Sequence, residues 1–99
     1  MYDIVYGLGV EHSLEALSAR KRKEIRSTIR EQLLHEPTRQ TRNKKIVKGL
    51  APSWEHQEPL WELRIDEYRV FYDVDIAERQ VTVRAVRHKP PHKTTEEIV

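Results

Sequence analysis

The residues from 60 to 89 alternate between apolar and polar side chains, and this pattern constrains the fold of the 99-residue chain more than any other feature. Trp61, Leu63 and Ile65 are separated by single charged residues. Successive side chains of a strand point to opposite faces, so this spacing predicts a strand with one buried face and one polar face.

Short polar segments divide this stretch into three predicted strands. Asp66-Glu67 is a two-residue segment that predicts a tight hairpin turn, and residues 75–80 predict a second turn. The alternation continues through residues 68–74 and 81–89, and Pro90-Pro91 ends it. The stretch therefore predicts a three-stranded antiparallel meander. In its last strand, we expect one face to carry Val81, Val83 and Ala85 and the other to carry Thr82, Arg84 and Val86.

The region before the meander predicts one strand and two helices. Residues 2–6 are rich in β-branched and aromatic side chains, which favour a strand. Ser13 is the expected N-cap of a first helix of about two turns. Residues 21–35 place an apolar side chain at every fourth position, which predicts a helix that packs one narrow face on the sheet. Pro37 ends this second helix.

The element order β-α-α-β-β-β predicts one α+β domain over residues 1–99, an antiparallel sheet with a helical hairpin packed on one face. Residues 44–50 predict a short turn or the entry to a strand, and residues 51–59, with two prolines, predict a loop. Residues 94–97 resemble a helix start. Trp54 and Trp61 are interpreted as core or loop-packing residues rather than base-stacking platforms.

The composition excludes several kinds of site. The chain has no cysteine, which rules out disulfides, thiolate catalysis and cysteine-based zinc sites. His88 and His92 have the i, i+4 spacing of a helical zinc site, but Pro90-Pro91 between them prevents a helix. We expect neither a metal nor a cofactor. No apolar segment approaches the length of a membrane span, so we expect a cytoplasmic protein without membrane contact.

The net charge of +2 conceals two basic segments. Residues 19–48 hold eleven lysines and arginines against three acidic residues, and residues 84–93 hold four cations, two histidines and no acid. A solvated helix face explains the first segment on its own. Together, the two segments indicate a polyanion or an acidic protein as partner.

The predicted sheet brings together groups that could cleave a phosphodiester. Cleavage of RNA without a metal needs cations to stabilise the phosphorane and groups that transfer protons. Arg64 and Arg69 could hold phosphate oxygens, His88 titrates near neutral pH, and Lys89 adds charge. Glu62 lies on the strand face of Arg64 and is a candidate base. The alternative is structural, with Arg64 and Arg69 forming ordinary cross-strand ion pairs.

The chain resembles the RelE/ParE superfamily, the toxins of bacterial type II toxin–antitoxin pairs. Four segments carry the resemblance: Lys48-Gly49-Leu50, residues 60–64, residues 68–72 and residues 83–89. The resemblance implies the fold of small microbial ribonucleases. It also implies one of two activities, since RelE-like members cleave messenger RNA in the ribosomal A site and ParE-like members act on DNA gyrase.

The resemblance also implies roles for individual residues. Arg64, Arg69 and Lys89 match basic residues that contact RNA in the family, and His88 stands where some ribonuclease members have histidine. The chain departs from the pattern at Glu62, where some members have lysine. It also lacks the C-terminal tyrosine of several members, and Thr95 or His92 lies in that part of the tail. Further candidate RNA-binding residues are Lys45, Lys48, Arg84, Arg87, His92 and Lys93.

These expectations favour a RelE-like toxin, a metal-independent endoribonuclease that cleaves messenger RNA on the ribosome and inhibits translation. Its expected partners are the ribosome, messenger RNA and an acidic, partly disordered antitoxin that wraps the toxin. Two alternatives remain open: a ParE-like gyrase inhibitor without enzymatic activity, and a non-toxic binding module with the same fold.

Overall fold

The computed structural model describes all residues from Met1 to Val99 and contains one five-stranded sheet with two helices on one face. The elements in chain order are β1 (Asp3–Tyr6), α1 (Val10–Glu15), α2 (Ala19–Leu33), β2 (Lys44–Ile46), β3 (Trp61–Ile65), β4 (Tyr68–Asp75), β5 (Gln80–His88) and α3 (Thr95–Ile98).

The strand order in the sheet is β1-β5-β4-β3-β2. The antiparallel meander β3-β4-β5 and the α+β class are confirmed, and Asp66-Glu67 forms the predicted tight turn between β3 and β4. β1 pairs with β5 in parallel, so the sheet is mixed rather than wholly antiparallel. β2 and α3 add to the predicted order, because elements of three and four residues are too short for a periodic signal.

The main core lies between the sheet and the helices. Ile25, Ile29 and Leu33 of α2 are fully buried there, as their four-residue spacing predicts. Ser18 caps α2 by accepting a hydrogen bond from the backbone N–H of Lys21 at 3.1 Å. The N-cap of α1 is not the predicted Ser13, which lies inside the helix.

Gly9 is the N-cap of α1, and its φ of 85° explains why a glycine stands there. This left-handed backbone conformation turns the chain from β1 into the helix. Because the helix starts at Val10, three residues before Ser13, the predicted cap was wrong about the start although a short first helix is present. No helix in the structure is both long and apolar enough to cross a membrane.

A β-bulge in β5 changes which side chains face the helices. Phe71 pairs with Ala85 while Tyr72 pairs with Val83, so Arg84 is one extra residue in β5. The predicted alternation is therefore wrong beyond Val83. Ala85 lies on the face away from the helices, and Val86 joins the main core.

The face of the sheet away from the helices, here called the second face, carries its own small apolar cluster of Leu60, Phe71 and Ala85. The loop residue Trp54 packs on this cluster with its ring centroid 5.8 Å from that of Phe71. Trp61 lies in the main core, stacked on Tyr72. Both tryptophans thus have the packing roles expected from the sequence. Ile98 and Val99 of the C-terminal tail also cover part of the second face.

Buried polar groups attach the connecting segments to the sheet. Lys44 is 4% exposed, and its ammonium group donates hydrogen bonds of 2.9 Å to the carbonyls of Gln32 and Glu36, near the end of α2. The hydroxyl of Tyr72 donates a 2.6 Å hydrogen bond to the carbonyl of Pro37. These contacts hold the segment after α2 against the meander.

Candidate functional site

Three arginines lie side by side across the second face, near the turn between β3 and β4. Arg64 pairs directly with Arg69, and Arg69 pairs directly with Arg87. We call these three residues the arginine row. Arg64 is exposed, Arg87 is half-buried and Arg69 is 6% exposed. Two of the three guanidinium groups are therefore accessible to a ligand.

Arg69 is held inside the protein by its own contacts. One terminal nitrogen donates 2.9 Å hydrogen bonds to the carbonyls of Asp66 and Tyr68, and Nε lies 3.5 Å from Oε1 of Glu62. Burial and then the neighbouring Arg64 lower the pKa of the Arg69 guanidinium, whereas Glu62 raises it. Arginine remains charged under these influences, so Arg69 adds positive potential to the row without reaching into solvent.

Glu62 lies beside the arginine row on the same face, as its position two residues before Arg64 predicts. The residue is 4% exposed, and its carboxylate accepts no hydrogen bond from the protein. It lines a cavity of about 550 Å³ between β2, the loop that follows β2, and the start of α3. Lys45 and Lys48 are exposed at the cavity, and Thr95 lines its opposite side.

His88 is in the same sheet but does not join the arginine row. Its ring packs against Tyr68, with ring centroids 5.1 Å apart, and Nε2 lies 3.3 Å from a carboxylate oxygen of Glu67. The bulge at Arg84 is the reason, because it moves Val86 and His88 to the helix side and Arg87 to the second face. The expected grouping of His88 with Arg64 is therefore corrected.

Several other candidates keep accessible positions. Lys89 directly follows β5, and its backbone N–H donates to the carbonyl of Glu67 at 2.5 Å. His92 and Lys93 are exposed on the segment between β5 and α3. Thr95 and His92 both lie in the part of the tail that lacks the family's tyrosine. Thr95 lines the cavity, whereas His92 does not.

Arg84 has a structural partner that the sequence did not reveal. Its Nε and a terminal nitrogen lie 2.7 Å and 3.2 Å from the two carboxylate oxygens of Asp73, which is 3% exposed. Asp73 also accepts a 2.8 Å hydrogen bond from the backbone N–H of Gln57. Asp73 therefore holds the loop over the second face, Arg84 neutralises Asp73, and the free surface of Arg84 for RNA is small. The cross-strand ion pair considered for Arg69 forms with Glu62, whereas Arg64 has no acidic partner, because Asp73 pairs with Arg84.

The cavity is a candidate site feature that the sequence interpretation missed, and the tail was described only as resembling a helix start. The cavity depends on α3, whose four residues give no periodic signal. The only hints in the sequence are Thr94 as a cap and Ile98-Val99 as an apolar end. No group of three or more histidine, aspartate and glutamate side chains is placed to hold a metal ion.

Comparisons with known proteins agree with this fold. A family model described as the ParE toxin of type II toxin–antitoxin systems matches residues 10–89. The RelBE2 toxin–antitoxin complex of Mycobacterium tuberculosis contains a chain with a TM-score of 0.69 at 20% identity, over 89% of this chain and 98% of that one. The isolated RelE toxin of E. coli has a TM-score of 0.69 at 16% identity, over 98% of this chain and 94% of that one. A chain of the RelE–RelB complex of Pyrococcus horikoshii has a TM-score of 0.61 at 20% identity, over 94% of this chain and 98% of that one. No individual curated protein sequence matches the chain.

Proposed function

The chain belongs to the ParE toxin family of type II toxin–antitoxin systems, and we propose that it arrests growth by cleaving messenger RNA on the ribosome. The observation that carries this proposal is the arginine row on the second face. Three guanidinium groups on adjacent strands give a strong local positive potential, which attracts the phosphates of RNA.

The accessible members of the row are suited to hold one phosphodiester. Guanidinium groups bind two phosphate oxygens at once, and Arg64 and Arg87 lie on either side of the buried Arg69. Lys89, at the end of β5, adds a third accessible cation. In this proposal, the 2′-hydroxyl attacks the adjacent phosphorus and loses its proton to water. The bond to the 5′-oxygen breaks, that oxygen takes a proton from water, and these cations stabilise the charge of the phosphorane.

Electrostatic stabilisation and positioning are therefore the main catalytic contributions that we assign to the chain. His88 and Glu62 were the sequence candidates for proton transfer. His88 contacts Tyr68 and Glu67 on the other face of the sheet, so its ring does not reach the row. Glu62 is 4% exposed, so a 2′-hydroxyl reaches it only from within the cavity.

We propose an acidic antitoxin as the partner that neutralises the toxin. Two of the similar structures are complexes of RelE-type toxins with their antitoxins. In this chain, α2 carries an exposed basic face opposite its buried apolar residues. The positive charge of this face would attract an acidic, partly disordered segment and stabilise it as it folds there. The ribosome, a polyanion, could use the same face in the absence of the antitoxin.

Inhibition of DNA gyrase without catalysis is the second candidate function. The family model that matches the chain is that of ParE toxins, the branch that the sequence interpretation associates with gyrase. Glu62 beside Arg69 offsets one charge of the row, and His88 faces away from it. The row therefore has less positive charge and no neighbouring histidine for proton transfer, which favours a binding role.

Induced expression in a bacterial host, with mapping of messenger RNA 5′ ends, tests the proposal. The test variant is Arg64→Ala/Arg87→Ala, which removes the accessible cations and leaves the buried Arg69 in place. Arg79→Ala is the matched control, because Arg79 lies over the ring of Tyr2 at the far end of β5. We expect growth arrest and new cleavages within coding regions for the wild type and the control, and neither for the test variant.

Two other outcomes separate the candidates. Growth arrest without new 5′ ends, together with loss of gyrase supercoiling in the presence of purified protein, would establish the second function. Normal growth on strong expression of the wild type would refute both and leave a binding module with the toxin fold.

A further inference from the structure

A buried carboxylate without a hydrogen-bond donor lies at the cavity beside the arginine row. Glu62 is 4% exposed, and its one charged contact is Nε of Arg69 at 3.5 Å. That Nε itself makes no hydrogen bond within the protein. The Glu62 oxygens are not among the buried polar atoms that lack a partner, so solvent reaches them although most of the side chain is covered. Because Glu62 lines the cavity, these oxygens have unused acceptor capacity there.

The cavity has the size and lining of a site for one nucleotide. Its volume of about 550 Å³ is within the range of roughly 300–1,000 Å³ that is usual for small-molecule sites. Val47 and Leu50 give it apolar walls on which a flat base can pack. Lys45, directly opposite Glu62 across the strands, and Lys48 are exposed at the cavity and can hold phosphate groups.

From this arrangement we infer that Glu62 recognises a guanine base of the RNA substrate in the cavity. This inference rests on the proposed function, since it names the base that the same site selects. A carboxylate only accepts hydrogen bonds, so it binds bases that present N–H groups. The Watson–Crick edge of guanine presents two neighbouring N–H donors, which match the two oxygens of one carboxylate. Adenine and cytosine present an amino group beside an acceptor, and uracil presents one N–H between two carbonyls.

Burial strengthens this selection. A base without the matching donors leaves the carboxylate desolvated and unpaired, and sites of this kind reject such ligands strongly. A good two-bond contact to a base discriminates by roughly fivefold to 150-fold. We therefore expect guanine nucleotides to bind at least about fivefold more tightly than uracil nucleotides.

A role in base recognition differs measurably from the role of a general base. If Glu62 transferred the proton of the 2′-hydroxyl, Glu62→Gln would slow the cleavage of all sequences by a similar factor. If Glu62 recognises guanine, the same change removes the preference among sequences. The ratio of the cleavage rates of guanine and uracil substrates thus distinguishes the two roles, and a merely structural role of Glu62 would not change this ratio.

Isothermal titration of the purified chain with GMP, AMP, CMP and UMP tests the inference without a ribosome. We expect GMP to bind most tightly and Glu62→Gln to reduce its affinity to that of UMP. Glu78→Gln, an exposed glutamate in the turn between β4 and β5, is the matched control and should leave all four affinities unchanged. Leu50→Trp fills the cavity without altering Glu62 or Arg69, so it should abolish GMP binding even if Glu62→Gln fails to fold.

Equal binding of the four nucleotides, no binding, or a preference for GMP that survives Glu62→Gln would overturn the inference. These outcomes are distinguishable from failure of the proposed function. Messenger cleavage on the ribosome, with equal nucleotide affinities, would refute the inference alone. Selective GMP binding that depends on Glu62, without any cleavage, would refute the ribonuclease and leave the guanine site.

Discussion

Replacement of Arg84 by methionine should destabilise the protein strongly, because Arg84 neutralises a buried carboxylate. Asp73 is 3% exposed and accepts two hydrogen bonds from Arg84, at 2.7 Å and 3.2 Å, and one from the N–H of Gln57, at 2.8 Å. Arg84→Met leaves only the last of these. Loss of one partner of a buried ion pair costs about 3–5 kcal/mol. The Arg84 side chain is 16% exposed, so we expect a loss of stability at the lower end of this range, about 3 kcal/mol.

Urea unfolding followed by tryptophan fluorescence measures this cost. With a slope of about 1.5 kcal/mol per molar urea, a loss of about 3 kcal/mol lowers the unfolding midpoint by about 2 M. The matched control Arg64→Met changes an exposed arginine without an acidic partner and should cost less than about 0.5 kcal/mol. Adding Asp73→Asn to Arg84→Met removes the unpaired charge and should restore about 2 kcal/mol.

Equal midpoints for Arg84→Met and Arg64→Met would refute this explanation of Arg84. If Arg84→Met also abolished toxicity without changing stability, Arg84 would be an RNA contact, as the sequence interpretation proposed, and its pairing with Asp73 would be secondary.

Three further changes test the buried polar contacts and the tail. Tyr72→Phe leaves the carbonyl of Pro37 without its donor and should cost about 1–3 kcal/mol in urea unfolding, with an unchanged slope. Burial lowers the pKa of Lys44 below its ordinary 10.5, so the unfolded chain binds more protons just below that pH. The stability of the wild type should therefore rise with pH up to about 10.5, relative to Lys44→Met. Hydrogen bonds from the backbone and then the side chain of Thr94 lower the pKa of Glu97 below 4.5. These hydrogen bonds should stabilise the folded tail fully above pH 4.5, and the stabilisation should be lost as the pH falls through the lowered pKa of Glu97. NMR of the Thr94 amide, which donates to Glu97, can follow this loss.

The meander was predictable because its strands keep a period of two over enough residues to show a pattern. The turn at Asp66-Glu67 and the stripe of α2 were predictable for the same reason, since each repeats a local rule that tertiary contacts do not override. β2 and α3 were missed or left open because they are too short. Their formation depends on contacts with β3 and with the second face, which sequence spacing does not reveal.

The bulge at Arg84 had the largest consequence for the candidate site. A shift of one residue exchanges the two faces of a strand, so the bulge places Arg87 in the arginine row and removes His88 from it. The adjacent apolar residues Ala85-Val86, where the alternation changes phase, were the available signal. Patterns of this kind are ambiguous in a sequence, because an extra apolar residue also occurs in strands that are buried on both faces.

Glu62 is the position at which simple electrostatics fails to explain the second face. A surface that only attracts phosphates would gain from a neutral or cationic residue beside Arg69, because Glu62 offsets one positive charge there. The Glu62 carboxylate lies 3.5 Å from Nε of Arg69, and this contact includes no hydrogen bond. A ligand that supplies N–H donors satisfies the carboxylate, whereas phosphate alone does not. The arginine row and Glu62 thus make different demands on one substrate, and a guanine nucleotide within an RNA chain meets both.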